Sequence, residues 1–325
     1  MRIVALEEHF IVPSLVRLIS RDAAAARGFP PPEAPWGPGR NAEKLAELGE
    51  PRLRLMDQSG ITVQVLSVSG PGADLLPPDQ GIEWARAIND ALATAIATHP
   101  ARYAGFAHLP MTAPEAAADE LERCTRHLGF HGALINGLTE GRFLDDPRFA
   151  PILARAETLG VPIYLHPGLP PAAVKQAYYD GLGEANSYLL SAAGWGWHAE
   201  TAVHIIRLAV SGTMERYPRL QWIIGHMGEA LPMMLARCDQ VFGRNLTEVI
   251  VGHVHVTTSG FFTLPPFLAL LHTFGADRIM FSVDYPFASN DKARAFLDQL
   301  PLAPADRVKI AHGNADRLLG LQPPP

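Results

Sequence analysis

The sequence predicts an α/β protein in which one domain, residues 1–325, folds as a (β/α)8 barrel of the TIM type. Eight short apolar or β-branched runs recur along the chain, and each is followed by a segment of helical periodicity. Gly60, Gly129, Gly160 and Gly275 stand just past predicted helices, where a left-handed residue commonly ends a helix. The length of 325 residues and the 48% of hydrophobic residues suit one such barrel.

Predicted strands and helices alternate in order along the chain. The predicted strands are residues 3–9, 62–69, 103–109, 132–136, 162–166, 220–226, 255–259 and 278–284. The predicted helices are residues 42–59, 81–98, 114–128, 147–159, 199–217, 229–242, 264–274 and 291–300. This alternation favours a parallel sheet, because each helix returns the chain to the start of the next strand.

Two long segments interrupt this rhythm without dividing the chain. Residues 27–40, after the first strand, are proline-rich and form either a surface excursion or a loop over the barrel mouth. Residues 167–196, after the fifth strand, contain Tyr178, Tyr179, Tyr188 and Trp195, which suggests a lid or an oligomer contact. Because residues 178–197 are apolar and aromatic with little charge, the sequence predicts a homodimer or homotetramer.

Composition excludes several classes of partner. The net charge is −6 and no long basic run is present, so we expect no nucleic-acid binding. The sequence has neither a long apolar span nor a basic leader followed by an apolar segment, so we expect a cytoplasmic protein without a membrane partner. Two isolated cysteines, Cys124 and Cys238, suit a reducing compartment. Thirteen histidines make metal or acid–base chemistry worth seeking.

The carboxyl ends of the predicted strands carry a set of metal-binding residue types. Glu7 and His9 are two apart on the first strand, so both project from one face. His166 ends the fifth strand and Asp284 ends the eighth. Each residue alone suits a packing or capping role, but capping does not explain four of them at one end of the barrel. Two imidazoles and two carboxylates suit Zn2+ or Mn2+ with one open position.

His226 follows the buried sixth strand and faces the same mouth. Three roles fit it: a fifth ligand, a proton donor, or a hydrogen-bond partner of the substrate. Glu229 stands three residues later and is close enough to orient the imidazole ring. The alternative is a capping pair without a chemical role.

Two other histidine pairs are interpreted as structural. His253 and His255 share the spacing of a metal motif, but they lie at the entry end of the seventh strand, more than about 10 Å from the exit end. His198 and His204 are six apart on a predicted helix, and we expect both at the surface or in an oligomer contact.

Five motifs together resemble the amidohydrolase-related nonoxidative decarboxylases of hydroxylated benzoates, which act on γ-resorcylate, 2,3-dihydroxybenzoate or 5-carboxyvanillate. The motifs are VALEEHF, YLHP, HMGEALP, VTTSG and FSVDYPF, and the resemblance covers nearly the whole chain. The Glu-x-His of the first strand distinguishes this group from the His-x-His of most amidohydrolases.

The resemblance implies a fold of the amidohydrolase type and a ligand set for one divalent metal ion, Zn2+ or Mn2+. The implied ligands are Glu7, His9, His166 and Asp284. The fourth strand ends in Asn136, where binuclear amidohydrolases have a bridging lysine, so the resemblance implies a single ion.

The resemblance also implies how the reaction proceeds. The carboxylate and ortho-phenolate of a small aromatic acid bind the metal, Asp284 helps to deliver a proton to the ring carbon, and CO2 leaves. His226 and Glu229 serve as the supporting acid–base pair. Arg237 and Phe287 occupy positions that in similar enzymes approach the ring and its substituents.

The main functional hypothesis is therefore a carboxy-lyase that acts on an ortho-hydroxy aromatic acid. An alternative keeps the metal but uses it to activate water, which would make the protein a mononuclear hydrolase of a lactone, ester or amide. A third reading is a metal-stabilised protein that has lost its chemistry. The presence of Asp284, His226 and Glu229 together argues against that reading.

Overall fold

The computed structural model of the chain describes residues 1–321, and all eight predicted strands are present in it. They are β1 (Val4–Phe10), β2 (Val63–Val68), β3 (Tyr103–Gly105), β4 (Ala133–Asn136), β5 (Ile163–His166), β6 (Trp222–Ile224), β7 (Val254–Thr257) and β8 (Ile279–Met280). Every pairing between neighbouring strands is parallel. Most strands are shorter than predicted, because the residues that follow them turn into loops at the mouth.

The strands close into the predicted barrel. Hydrogen bonds join β1, β2 and β3, in that order, in one sheet, and they join β4, β5, β6, β7 and β8, in that order, in a second sheet. Two parallel bridges connect the sheets, Ala107 with Ala133 and Glu8 with Tyr285. At the second bridge the His9 amide donates to the Tyr285 carbonyl at 2.8 Å. The (β/α)8 barrel that the alternating pattern predicted is therefore confirmed.

The helices surround the barrel and lie within its loops. They are α1 (Pro13–Val16), α2 (Arg21–Arg27), α3 (Ala42–Ala46), α4 (Glu50–Ser59), α5 (Pro78–Thr98), α6 (Pro114–His127), α7 (Ala150–Leu159), α8 (Ala172–Tyr178), α9 (Glu184–Ser191), α10 (Gly196–Val210), α11 (Thr213–Arg216), α12 (Leu235–Phe242), α13 (Leu246–His253), α14 (Leu264–Phe274), α15 (Asn290–Gln299), α16 (Pro304–Val308) and α17 (Asn314–Leu319). Within residues 1–321, no helix is both long enough and apolar enough to cross a membrane.

Four predicted helices begin late or break, and one of them, 147–159, starts with a 3-10 turn at Pro147–Phe149 before α7. The segment 42–59 breaks before Gly49, whose amide donates to the Glu47 side chain at 2.6 Å. The segment 199–217 breaks at Gly212, which has a φ of 75°. The segment 229–242 becomes α-helical only at Leu235, because Glu229 and Ala230 are left-handed and Leu231–Met233 form a 3-10 helix. Helical periodicity does not reveal such backbone reversals.

Alternate residues of the strands fill the barrel. This barrel-interior cluster consists of Val4, Leu6, Val63, Val65, Ala104, Phe106, Leu134, Tyr164, Ile223 and Met280 from the strands, with Ala315 and Leu319 from α17. Because α17 packs against it, the cluster closes the barrel on the side opposite the mouth. A larger apolar core lies between the strands and the surrounding helices.

Candidate active site

The mouth of the barrel gathers the residues that the sequence predicted as ligands. His166 Nε2 lies 3.3 Å from Glu7 Oε1, and His9 Nε2 lies 3.3 Å from Asp284 Oδ1. His226 Nε2 lies 3.4 Å from the same Glu7 oxygen. One candidate ligand atom from each of Glu7, His9 and His166 lies within 4.8 Å of the others, and the same holds for Glu7, His226 and Asp284. The five side chains therefore converge on one point.

A bulge in β1 brings Glu7 and His9 to the inside of the barrel. Val4 and Leu6 point inward, so regular alternation would place Glu8 inside and Glu7 outside. The register of β1 against β2 shifts between Ala5 and Glu8, which reverses the alternation. Glu8 instead accepts backbone hydrogen bonds from Val283 at 2.9 Å and Tyr285 at 3.3 Å. Burial raises the pKa of Glu8 to about 8, although those bonds and nearby Arg52 act against the rise.

One of the two oxygens of the Glu7 carboxylate accepts hydrogen bonds. Its Oε2 accepts hydrogen bonds from the Tyr164 hydroxyl and, at 2.6 Å, from the Ser259 hydroxyl. Gly225 is required beside it, because a Cβ atom there would lie 2.4 Å from this oxygen. Burial alone would raise the pKa of Glu7, but the nearby imidazole groups of His226 and His166 outweigh it and lower the pKa, so the group is a carboxylate.

Two buried ligand atoms of the site fit a divalent cation. Among the residues described, no group makes a hydrogen bond of good geometry to Glu7 Oε1 or His9 Nε2, although both atoms are buried and lie 3.3 Å from His166 Nε2 and Asp284 Oδ1, respectively. Burial lowers the pKa of His9, against the opposing effect of Asp284, which leaves a neutral imidazole nitrogen able to bind metal. Unpaired buried polar atoms are costly unless something satisfies them. A mixed nitrogen and oxygen set of this kind suits Zn2+ or Mn2+.

The acid–base candidates form a chain of three side chains. His226 Nδ1 donates to Glu229 Oε1 at 2.8 Å, and His198 Nδ1 donates to Glu229 Oε2. Burial disfavours a charged His226, but the carboxylates of Glu7 and Glu229 raise its pKa well above the ordinary value. Burial likewise acts to raise the pKa of Glu229, and the two histidines lower it. The group is therefore an anion between two imidazole rings.

A left-handed backbone turn presents this chain to the mouth. His226, Met227, Glu229 and Ala230 have φ angles between 49° and 65°. Each non-glycine residue in this left-handed conformation costs about 1–2 kcal/mol, so contacts with surrounding residues maintain the turn. One anchor is the His226 amide, which donates to the Ser259 hydroxyl at 3.0 Å. Asp284 also has a left-handed φ of 71°. Strain of this kind concentrates at functional sites.

Both predicted insertions cover the site. Residues 27–40 form a loop over the barrel mouth, which was one of the two options that the sequence left open. The Arg27 guanidinium donates to the carbonyls of Leu169 at 2.6 Å and Pro170 at 3.2 Å. The segment 167–196 contains α8 and α9 and is not a free loop. The roof cluster consists of Phe29, Trp36, Leu169, Tyr188, Ala192 and Trp197. Beneath it lies a cavity of about 310 Å3 that reaches His9, His166, His226 and Asp284.

The two predicted ring-contact residues lie in different places. Phe287 lines the cavity, with its ring centroid 5.8 Å from that of His9. Arg237 lies outside the cavity on α12, exposed, and donates to Gln240 at 3.0 Å. The left-handed turn delays the start of α12 and leaves Arg237 on its solvent face. Arg237 therefore does not line the cavity of its own chain, and its approach to the aromatic ring stays a prediction.

The structure agrees with the prediction for one of the two other histidine pairs and not with that for the second. His255 is buried at the amino end of β7, 3.4 Å from the Arg278 guanidinium, and His253 donates to the Val249 carbonyl at 2.7 Å. Both have structural contacts, as predicted. The surface prediction for His198 and His204 is wrong. His204 is buried and accepts a hydrogen bond from the Leu144 amide at 2.7 Å, and His198 is part of the site.

Sequence reasoning missed His198 because its partner Glu229 is 31 residues away. No spacing rule links a residue at the start of a helix to one in a turn after the next strand. The nearest signal was its place directly after the aromatic insertion, beside Trp197, whose ring stands 6.3 Å from His166.

Comparisons with known proteins agree with this geometry. The family model for amidohydrolases matches residues 9–321. A γ-resorcylate decarboxylase from Rhizobium sp. is 38% identical over 336 residues, which cover 98% of each chain. A dihydroxybenzoic acid decarboxylase from Polaromonas sp., solved with bound manganese and the inhibitor 2-nitroresorcinol, has a TM-score of 0.86 and 35% identity, covering 98% of this chain and 97% of that one. A 5-carboxyvanillate decarboxylase from Sphingomonas paucimobilis has a TM-score of 0.90 and 27% identity, covering 99% of both chains.

Proposed function

The chain belongs to the amidohydrolase family, and from that premise we propose that it is a metal-dependent nonoxidative carboxy-lyase of ortho-hydroxylated aromatic acids. One observation carries the proposal. Two buried atoms, Glu7 Oε1 and His9 Nε2, lack a hydrogen-bond partner among the described residues and lie beneath an aromatic-walled cavity. Relatives at 35% to 38% identity over nearly the full length are decarboxylases of dihydroxybenzoates. This function accounts for both the polar floor and the apolar walls of the cavity.

Four side chains would hold one divalent cation: Glu7, His9, His166 and Asp284. Manganese is bound in the Polaromonas relative, and the donor set of this chain suits Mn2+ or Zn2+. When bound, the ion supplies positive charge that orients a carboxylate and an adjacent phenolic oxygen and stabilises negative charge on them. Tyr164 and Ser259 hold the second oxygen of Glu7 and so fix the direction of the first.

The residues at the mouth would then manage one proton. Asp284 is partly open to the cavity and delivers the proton to the ring carbon that bears the carboxylate. The carbon–carbon bond breaks, its electron pair returns to the ring, and CO2 leaves with the aromatic product. His226 Nε2 lies 3.9 Å from Asp284 Oδ2 and is placed to restore the proton.

The cavity walls suit a flat aromatic ring. Phe287, Trp197 and Phe261 line the cavity together with Leu169. Such walls position the ring by apolar contact and limit the access of water. Positioning matters because the breaking bond must stand out of the plane of the ring for its electrons to join the ring system.

The test is turnover in deuterated water. Purified enzyme loaded with Mn2+ or Zn2+ is supplied with γ-resorcylate and a panel of other hydroxybenzoates. We expect CO2 release and a product with deuterium at the carbon that lost the carboxylate. A matched sample of product, incubated with enzyme alone, measures background ring exchange. If no acid in the panel loses CO2, and an ester or lactone is cleaved with incorporation of solvent oxygen, the lyase assignment fails.

We also propose that the enzyme is a homodimer or homotetramer. The support is a set of exposed apolar side chains on neighbouring helices and loops, including Trp195 at 52%, Met233 at 74% and Phe242 at 48% exposure. Light scattering after size exclusion tests this at micromolar concentration. A uniform 35.2 kDa species would contradict it.

A further inference from the structure

His198 connects the roof of the cavity to the acid–base pair. It is the third residue of α10 and is buried, with 7% of its surface exposed. Its Nδ1 donates to Glu229 Oε2, and its Nε2 donates to the Ala193 carbonyl at 3.0 Å. Ala193 belongs to the insertion 167–196, which supplies Leu169, Tyr188 and Ala192 to the roof cluster. His198 therefore contacts both elements at once.

Both nitrogens of His198 are committed to these contacts. Each faces an oxygen acceptor, and both bonds form when each nitrogen carries a hydrogen. The ring is also held by edge-to-face packing, with centroids 5.3 Å from Phe261 and 5.0 Å from His226. With no free polar atom, His198 has nothing to offer the substrate directly. Its influence passes through Glu229.

Glu229 requires such a partner. Its carboxylate is 1% exposed and has two oxygens, one held by His226 and the other by His198. The residue stands in the left-handed turn with a φ of 56°. Without His198, a buried oxygen would lose its donor and the strained turn would lose a tertiary anchor. The carboxylate would then be free to turn away from His226.

We infer that His198 is a positioning residue that fixes Glu229 and so holds the His226 ring toward Glu7 and Asp284. Because its second bond is to Ala193, it also couples that alignment to the closed roof. The inference rests on the proposed function, in which His226 manages a proton. It adds a role for a residue outside both the ligand set and the acid–base pair.

Two substitutions separate positioning from packing. His198→Phe keeps the ring and removes both hydrogen bonds, whereas His198→Asn keeps a donor near the position of Nδ1. His204→Gln is the matched control, because His204 lies on the same helix, is also buried and contacts Leu144, not the site. Gln retains an acceptor for the Leu144 amide.

Four measurements are made on each metal-loaded enzyme: kcat, affinity for 2-nitroresorcinol by absorbance, metal content, and amide hydrogen exchange of residues 225–234. For His198→Phe we expect kcat to fall about 10- to 100-fold, as when an outer partner of a functional histidine is removed. Exchange in the turn should rise, while metal content and inhibitor affinity stay near wild type. His198→Asn should recover part of kcat, and His204→Gln should leave the turn unchanged.

The inference is overturned if His198→Phe retains kcat within about threefold of wild type. It is also overturned if inhibitor affinity falls in proportion to kcat, or if His198→Asn is no better than His198→Phe. Should the wild type decarboxylate no aromatic acid, the proposed function fails. Hydrogen exchange still decides the inference in that case, since equal exchange of the turn in His198→Phe and His204→Gln would refute it.

Discussion

Two motifs of the same spacing lie at opposite ends of this barrel and have different surroundings. Glu7 and His9 stand at the carboxyl end of β1, and His253 and His255 stand at the amino end of β7. His166 and Asp284 surround Glu7 and His9, and within residues 1–321 the buried atoms Glu7 Oε1 and His9 Nε2 have no hydrogen-bond partner. Around His255 is the Arg278 guanidinium, which donates to Gln221 at 2.8 Å. A two-residue spacing determines a shared face, whereas the strand end determines the chemistry.

Charge explains why only one end suits a cation. Burial, together with the positive charges of Arg278 and Arg317, lowers the pKa of His255 to about 3. A metal ion would meet the same repulsion. At the mouth, Glu7 supplies negative charge instead. The barrel-interior cluster separates the two ends with apolar side chains.

The largest effect is expected from Glu7→Gln compared with a double change of His253→Gln and His255→Gln. The amide has no charge to offset a dication, so bound metal should be lost and kcat/KM should fall by about 10³-fold or more. The double variant should keep both metal and activity. Metal analysis by mass spectrometry and initial rates check this. Metal loss in the double variant with metal retained in Glu7→Gln would reverse our assignment of the two ends.

The next effect concerns the acid–base pair at the same mouth. His226→Asn should lower kcat by about 10²–10⁴-fold, which is the usual value of general acid–base assistance. Metal content should be retained, because His226 is not among the four proposed ligands. Loss of metal together with activity would instead make His226 a ligand. The double variant at the opposite end again serves as control.

A smaller effect should distinguish the roof cluster from the barrel-interior cluster. Trp36 packs on Tyr188 at a centroid distance of 5.5 Å above the cavity, so Trp36→Ala should raise KM roughly tenfold through lost apolar contact. Leu319 packs in the barrel-interior cluster, and Leu319→Ala should cost about 2–5 kcal/mol of stability without changing KM. Steady-state kinetics and thermal unfolding measure the two. A change of KM in Leu319→Ala alone would refute the distinction.

The smallest effect is on the pH dependence of stability. His255 has a folded pKa of about 3, below its unfolded value of 6.5, so the unfolded chain binds more protons between those values. Its contribution to stability is present above pH 6.5 and is lost as the pH falls toward 3. His255→Gln should therefore flatten the fall of the urea midpoint between pH 6.5 and 4. An unchanged slope would contradict the lowered pKa.

Much of the fold followed from local pattern, and the failures share one cause. The eight strands and the end of the barrel that carries the polar residues were predicted from apolar runs and the residues that close them. His198 and His204 were expected at the surface, but the roof and the segment at Leu144 cover them. Arg237 was expected at the cavity, but it lies exposed on α12, outside the cavity lining of this chain. In each case a distant or strained segment decided exposure.

The sequence by itself determined which residue types close each strand and that Glu7 and His9 share a face, because strand pleating is a local property. Only the tertiary structure decided that this face points inward, since the bulge in β1 arises from pairing with β2, more than fifty residues away. It also decided that His198 meets Glu229. Alternation along a strand is set by covalent geometry, whereas the meeting of remote side chains depends on packing of the whole barrel and its roof.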